Sequence, residues 1–131
     1  MTIKLILLKS GEDIISDVSE MAMGDEESPY VVGYRLNKPC IVKIFKSNSD
    51  NNTVSLNDSN GKEKPKINVS LYPWMPLSSE EVIPIPTDWV VTMVEPVQSL
   101  KEMYIEDVVN YGTKANQDTG TSKQSDSNQS D

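Results

Sequence analysis

The stretch that decides the fold is Ile3-Lys4-Leu5-Ile6-Leu7-Leu8-Lys9-Ser10-Gly11-Glu12-Asp13-Ile14-Ile15-Ser16-Asp17-Val18. A run of Ile and Leu residues leads to a Ser-Gly turn that carries two acids, and a second short apolar run follows. This pattern predicts a strand, a tight turn and a return strand of a strongly bent antiparallel sheet. Because the first strand is largely apolar on both faces, we expect both to be buried, in a tightly closed barrel or at a subunit contact.

The length and the charge of the chain restrict its class. Its 131 residues suffice for one domain with a tail, and its 12 basic and 20 acidic residues give a net charge of −8. A chain this acidic repels nucleic acid at long range and is not expected on an anionic membrane. It contains no apolar run as long as a signal or membrane segment, so we expect it in the cytoplasm.

The sequence contains no histidine and one cysteine, Cys40. Without histidine, the Ser-His-Asp and Cys-His triads and most zinc sites are excluded. A lone cysteine forms no intrachain disulfide, and without a histidine base it is expected to be a small buried strand residue, not a nucleophile. Adjacent acids such as Glu80 and Glu81 are expected to be hydrated surface groups, and no cofactor or metal site is predicted.

Beyond the opening hairpin, short apolar runs predict further strands between turns rich in Pro, Asn and Gly. The predicted strands cover residues 30–36, 40–46, 66–72 and 88–95, and the first two form either a hairpin or one strand kinked at Pro39. Residues 19–29 hold four acids and predict an exposed loop. Residues 47–66 predict a protruding two-stranded hairpin that turns near 57–61, and the segment from Pro73 to Pro86 is expected to cross to another part of the barrel.

A helix is predicted near the end of the chain, over about residues 97–110, because apolar residues recur there at helical spacing. Ser99-x-x-Glu102 has the form of a capping box, and Gly112 would close the helix. Residues 113–131 are almost entirely polar and predict a disordered tail. The predicted organisation is therefore a barrel with a C-terminal helix over residues 1–112, followed by that tail.

One candidate interaction surface follows the strand at 66–72. Tyr72, Trp74 and Met75 would form an apolar platform, although a Trp-Met pair between prolines is more often a corner packed on the core or on a neighbouring subunit. The basic residues Lys62, Lys64 and Lys66 precede them and could contact a polyanion weakly. Since Arg35 is the only arginine, a phosphate clamp built from several arginines is excluded.

The motif Leu8-x-x-Gly11-x-x-Ile14-x-Ser16-x-Val18 resembles the first signature of Sm and Sm-like (LSm) proteins. A second glycine is usual five places after the first in that family, and Ser16 is a small substitute at a site of strong bending. The Gly-Glu-Asp-Ile-Ile opening and the Pro-rich second half are similar to the short Sm-like proteins of T4-like marine bacteriophages. The resemblance implies a small, strongly bent, five-stranded antiparallel barrel of the SH3-like type and a homo-oligomeric ring. A phage-encoded protein of this kind would act in the cytoplasm of the host cell.

The same resemblance implies RNA binding or RNA metabolism, but the RNA-contacting residues of the family have no counterparts here. The Asp-x-x-Asn element is missing from residues 19–29, and Ile85-Pro86-Thr87 stands where the family has Ile-Arg-Gly. Two hypotheses therefore remain open for a non-enzymatic protein. One is RNA binding during phage infection, and the other is a module without RNA-binding activity that contacts a phage or host protein or is associated with the virion.

Overall fold

The computed structural model describes residues 1–45, 53–55 and 66–110, with Ser55 and Lys66 described in their backbone only. The described chain contains seven strands, a 3-10 turn, an α-helix and a π-helical turn. The strands are β1 (Ile3–Leu8), β2 (Asp13–Met23), β3 (Tyr30–Phe45), β4 (Thr53–Ser55), β5 (Lys66–Pro73), β6 (Val82–Pro86) and β7 (Val90–Val94). The 3-10 turn is Thr87–Trp89, the α-helix α1 is Gln98–Tyr104, and the π-helical turn is Ile105–Val109.

The strands form one curled antiparallel sheet, a half-barrel, in the order β4-β5-β3-β2-β1-β7. The long strand β3, of 16 residues, organises the sheet, since β2 pairs with one of its edges while β6 and β5 share the other. No pairing joins β7 to β4 or β6 in the part of the chain that the structure describes, so the half-barrel has free strand edges. The predicted mainly β, curled antiparallel fold with a C-terminal helix is confirmed, but the predicted count of five strands is wrong.

The opening hairpin turns where the sequence predicts. The N–H of Gly11 donates to the carbonyl of Leu8 at 2.9 Å, and the N–H of Leu8 donates to the carbonyl of Glu12 at 3.0 Å. Gly11 has a φ of +91°, a conformation that costs a residue with a Cβ roughly 1 kcal/mol or more. The glycine is therefore required by the backbone of the turn.

Two segments predicted as irregular are strands. β2 continues to Met23, so the predicted loop at 19–29 is wrong for its first half, and the turn begins only at Gly24. Polar residues are tolerated here because the second half of β2 pairs along β3 and satisfies its backbone groups while its side chains face solvent. The segment from Pro73 to Pro86 ends in the strand β6. The sequence does not predict this strand, because prolines such as those at 84 and 86 are uncommon within strands.

The stretch from residue 30 to residue 45 is one strand that passes through Pro39, as in the second of the two alternatives. The predicted hairpin at 47–66 is described only at its base, where β4 pairs with β5. Its predicted turn lies outside the described residues.

The C-terminal helix begins at Gln98, close to the predicted start, but without the predicted cap. Val97 occupies the N-cap position and makes no side-chain capping hydrogen bond, so the capping box predicted at Ser99-x-x-Glu102 does not form. Ser99 lies inside the first turn, where its side chain cannot serve as the cap. The predicted closure at Gly112 and the predicted tail at 113–131 lie outside the described residues, and none of the helices described is long and apolar enough to span a membrane.

The core consists of two apolar clusters, one on each face of the β1–β2 hairpin. β1 contributes buried residues to both clusters, so both of its faces are covered within a single chain. The first cluster, which α1 closes, contains Ile3, Ile15, Cys40, Val54, Val69, Leu100 and Tyr104. The second contains Ile6, Leu8, Ile14, Val18, Leu36 and Ile85.

Candidate interaction surface

The five residues of the opening motif hold the hairpin in shape. Leu8, Ile14 and Val18 are buried in the second cluster, and Gly11 makes the turn. Ser16 is fully buried at a register shift between β2 and β3, and its hydroxyl donates to the carbonyl of Asn37 at 2.9 Å. Ser16 thus secures the neighbouring strand at the bend.

The C-terminal helix contacts the same bend through Tyr104. The hydroxyl of Tyr104 lies 2.9 Å from the carbonyl oxygens of both Asn37 and Lys38, and it accepts a hydrogen bond from the N–H of Asp17 at 3.3 Å. Lys38 has a φ of +53°, which turns the backbone of β3 toward this hydroxyl. Burial raises the pKa of Tyr104, so the hydroxyl remains protonated and able to donate.

Trp74 packs as a corner of the core. It is partly buried against the second cluster, and its indole Nε1–H donates to the Oε1 atom of Glu12 at 3.3 Å. The hydroxyl of Ser10 donates to the same carboxylate oxygen at 2.8 Å, so this corner is attached to the β1–β2 turn. Of the two interpretations of Trp74, the geometry therefore favours the structural corner over the binding platform.

Tyr72 lies on a face of the β3–β5 pair that is exposed at Tyr72, Lys43 and Phe45. The same face is covered at Ile41, which packs against the second cluster, and at Asn68, which is buried. Tyr72 pairs with Ile41, and the next pairs on the same face are Lys43 with Ser70 and Phe45 with Asn68. Tyr72 is 50% exposed and Phe45 is 43% exposed. The Nζ atom of Lys43 lies 6.0 Å from the centroid of the Tyr72 ring, at the outer limit of a cation–π contact. We call the surface formed by Ile41, Lys43, Phe45, Ser70 and Tyr72 the aromatic face.

Sequence reasoning selected Tyr72 and missed Phe45 and Lys43, because the pairing of β3 with β5 places these residues together. Lys66 begins β5, but its side chain is not described, and Lys62 and Lys64 lie outside the described residues.

Met75 belongs to a different surface. It is half exposed and borders a cleft of about 340 Å³, whose other walls include Cys40, Glu80, Glu81 and Val108. Cys40 itself is only 4% exposed, and burial raises the pKa of its thiol to about 11. The thiol therefore remains protonated near neutral pH and is a poor nucleophile.

Within the described residues, the structure contains no group of three His, Cys, Asp or Glu side chains that could hold a metal ion.

The fold and the exposed surfaces together define a curled β half-barrel with an aromatic face. Comparison with protein-family models and with curated protein sequences found no match to this chain.

Proposed function

We propose that the protein is a non-enzymatic, Sm-like, ring-forming subunit that binds single-stranded RNA through its aromatic face. The Sm-like assignment is supported by the opening hairpin, which turns at Gly11 and bends at Ser16. The order of the strands adds support, since β1 lies between β2 and the last strand of the curled sheet.

The observation that carries the RNA proposal is the pair of half-exposed rings, Tyr72 and Phe45, on either side of Lys43. Bases of single-stranded nucleic acid stack on such rings, each contributing about 1–3 kcal/mol, with little dependence on sequence. The ammonium group of Lys43 supplies a local positive charge for the phosphate backbone. A local contact of this kind is needed because the whole chain carries a net charge of −8.

The ring proposal is supported by the outer edges of β6 and β7. In the described structure, β6 pairs only with β3 and β7 pairs only with β1. Exposed strand edges favour pairing with another chain, and a head-to-tail contact that repeats by rotation closes into a ring.

The test is titration of labelled oligo(U) and oligo(A) with the full-length protein and two variants at low salt. Tyr72→Ala should weaken binding by roughly 5- to 150-fold, the loss expected for one stacked base. Tyr30→Ala is the matched control, because Tyr30 is 58% exposed but lies at the far end of β3, and it should bind as the wild type does. Absence of wild-type binding at micromolar protein would reject the RNA proposal, and equal losses in both variants would exclude the aromatic face.

The second candidate function is a phage or host protein-interaction module, with association with the virion as one form of it. The cleft beside Met75 favours this function, because Glu80 and Glu81 border it and because Leu77, between the lining residues Pro76 and Ser78, is fully exposed. Co-purification of the protein with phage particles or with a defined host protein, together with failure to bind either oligonucleotide, would favour it over RNA binding.

A further inference from the structure

The cleft beside Met75 lies between the bend of β3, the loop that joins β5 to β6, and the π-helical turn. Its volume of about 340 Å³ is at the lower end of the range of about 300–1,000 Å³ that is usual for ligand pockets. We propose that this cleft binds a short protein segment in which a large apolar side chain lies close in sequence to a lysine or arginine. This inference rests on the second candidate function, protein interaction, and does not require RNA binding at the aromatic face.

The inner part of the cleft is apolar. Pro39 and Cys40 at its base are buried, while Ile83 of β6 and Val108 of the π-helical turn line it with half-buried side chains. Met75 at its border is 50% exposed. An apolar side chain that enters the cleft would leave water together with these surfaces, and the transfer is favourable. The inner part therefore favours an apolar anchor on the partner.

The rim of the cleft carries two carboxylates. Glu80 and Glu81 are both exposed, and the hydrogen bonds that they make within the described part of the chain use backbone atoms only. Lys38 is the one cation among the described residues that line the cleft, so the lining has an excess of negative charge. This charge attracts a lysine or arginine and repels the phosphate groups of nucleic acid or acidic lipids, and the net charge of −8 acts in the same direction.

The loop that carries both acids is fixed to the bend of β3 at its two ends. At one end, the N–H of Trp74 donates to the carbonyl of Pro39 at 2.9 Å. At the other, the N–H of Lys38 donates to the carbonyl of Glu81 at 2.8 Å. A loop held in this way loses little conformational freedom when a partner binds. The acidic rim is therefore already formed before binding.

The π-helical turn supports a binding role independently of the charge. It follows α1 directly, and the N–H of Asn110 donates to the carbonyl of Ile105 at 2.9 Å, five residues earlier. Turns of this kind are rare and occur frequently at functional sites. Here the turn places Val108 in the wall of the cleft.

The first experiment selects a library of random short peptides, displayed on yeast, for binding to the full-length protein. The enriched sequences should share a large apolar residue close to a lysine or arginine. Failure to enrich any sequence, or a consensus without a basic residue, would overturn the inference. A consensus of basic residues alone would also overturn it, because the apolar walls would then have no role.

The second experiment titrates the tightest selected peptide with charge variants, followed by fluorescence anisotropy. The double variant Glu80→Gln and Glu81→Gln should weaken binding by roughly 2- to 30-fold, the loss expected for two exposed ion pairs. The matched control is Glu26→Gln with Glu27→Gln, since these adjacent acids are also exposed but lie on the turn between β2 and β3. The control should bind as the wild type does. Equal losses in the two double variants would show that only the overall charge attracts the peptide, and would overturn the inference.

Met75→Ala tests the apolar part of the cleft. It should weaken binding by roughly 4- to 13-fold, because about half of the methionine side chain would leave water on binding. Met23→Ala is the control, since Met23 is 58% exposed at the end of β2 and should be neutral. Circular dichroism checks that every variant is folded. Wild-type affinity in Met75→Ala would overturn the assignment of the peptide to this cleft.

Co-purification with the cleft variants separates this inference from the candidate function on which it rests. A defined phage or host protein that co-purifies equally with the wild type and with the variants would support the protein-interaction function and overturn the cleft as its site. Loss of that protein from the cleft variants alone would support both. If no protein co-purifies and no peptide is enriched, both are overturned.

Discussion

Cys40 shows how position alone determines the chemistry of a residue. It lies in the first core cluster, next to the bend of β3, and its Sγ is 3.7 Å from the carbonyl oxygen of Lys38. Burial disfavours the thiolate, since the negative charge would lose its hydration. The residue therefore belongs to the core, although the cleft beside Met75 reaches it.

The raised pKa of Cys40 predicts a distinct pH dependence of its labelling by a disulfide reagent. At pH 8 the native protein should react roughly 100-fold more slowly than the urea-unfolded chain. The thiolate fraction falls about tenfold per unit of pKa, and burial raises the pKa of this thiol from the ordinary 9.0 to about 11. The native rate should continue to rise up to about pH 11, whereas the unfolded rate should level off near pH 9. Native labelling as fast as that of the unfolded chain would show that the thiol is exposed and ionised.

At the scale of elements, α1 is held to the sheet by apolar packing and by one buried hydroxyl. Leu100 and Tyr104 are the buried residues of the helix, and both belong to the first core cluster. The hydroxyl of Tyr104 donates to the carbonyl groups at the bend in β3, those of Asn37 and Lys38. The helix and the bend therefore depend on each other.

Tyr104→Phe should lower the free energy of unfolding by about 1–3 kcal/mol, because it removes the hydroxyl and leaves its buried partners without their hydrogen bond. Urea denaturation followed by circular dichroism measures the change. Tyr30→Phe is the control, since this exposed ring should change stability by less than about 0.5 kcal/mol. Equal stability of the two variants would mean that the helix is held by apolar contacts alone.

At the scale of the whole molecule, the net charge of −8 opposes RNA, so the proposed RNA binding requires a few local cations. The affinity should therefore depend weakly on salt. Each lysine that neutralises a phosphate contributes about −0.7 to the slope of log K against log salt for a single strand. With Lys43 and up to three of the lysines at 62, 64 and 66, we expect a slope between roughly −0.7 and −3.

Filter binding or anisotropy at several salt concentrations measures this slope. Lys43→Gln should reduce its magnitude by about 0.7, while Lys4→Gln, which removes a lysine paired with Glu95 instead, should leave it unchanged. A slope steeper than about −5 would require a broad basic surface and would contradict binding at the aromatic face.

The sequence by itself determined the opening hairpin, the mainly β class and the C-terminal helix. These features follow from local rules, namely the alternation of apolar residues, the need for Gly11 at a positive φ and the helical spacing near the end of the chain. Cys40 was also predicted correctly as a buried strand residue, because the absence of histidine made the catalytic alternative unfavourable.

Only the tertiary structure decided the number of strands and the aromatic face. β6 was concealed by its prolines, which a strand tolerates only when their nitrogen atoms face away from its partner, and that depends on register. Phe45 and Lys43 join Tyr72 because β3 pairs with β5 across a long separation in sequence. Such pairings are fixed by the packing of the whole sheet, and no local pattern in the chain specifies them.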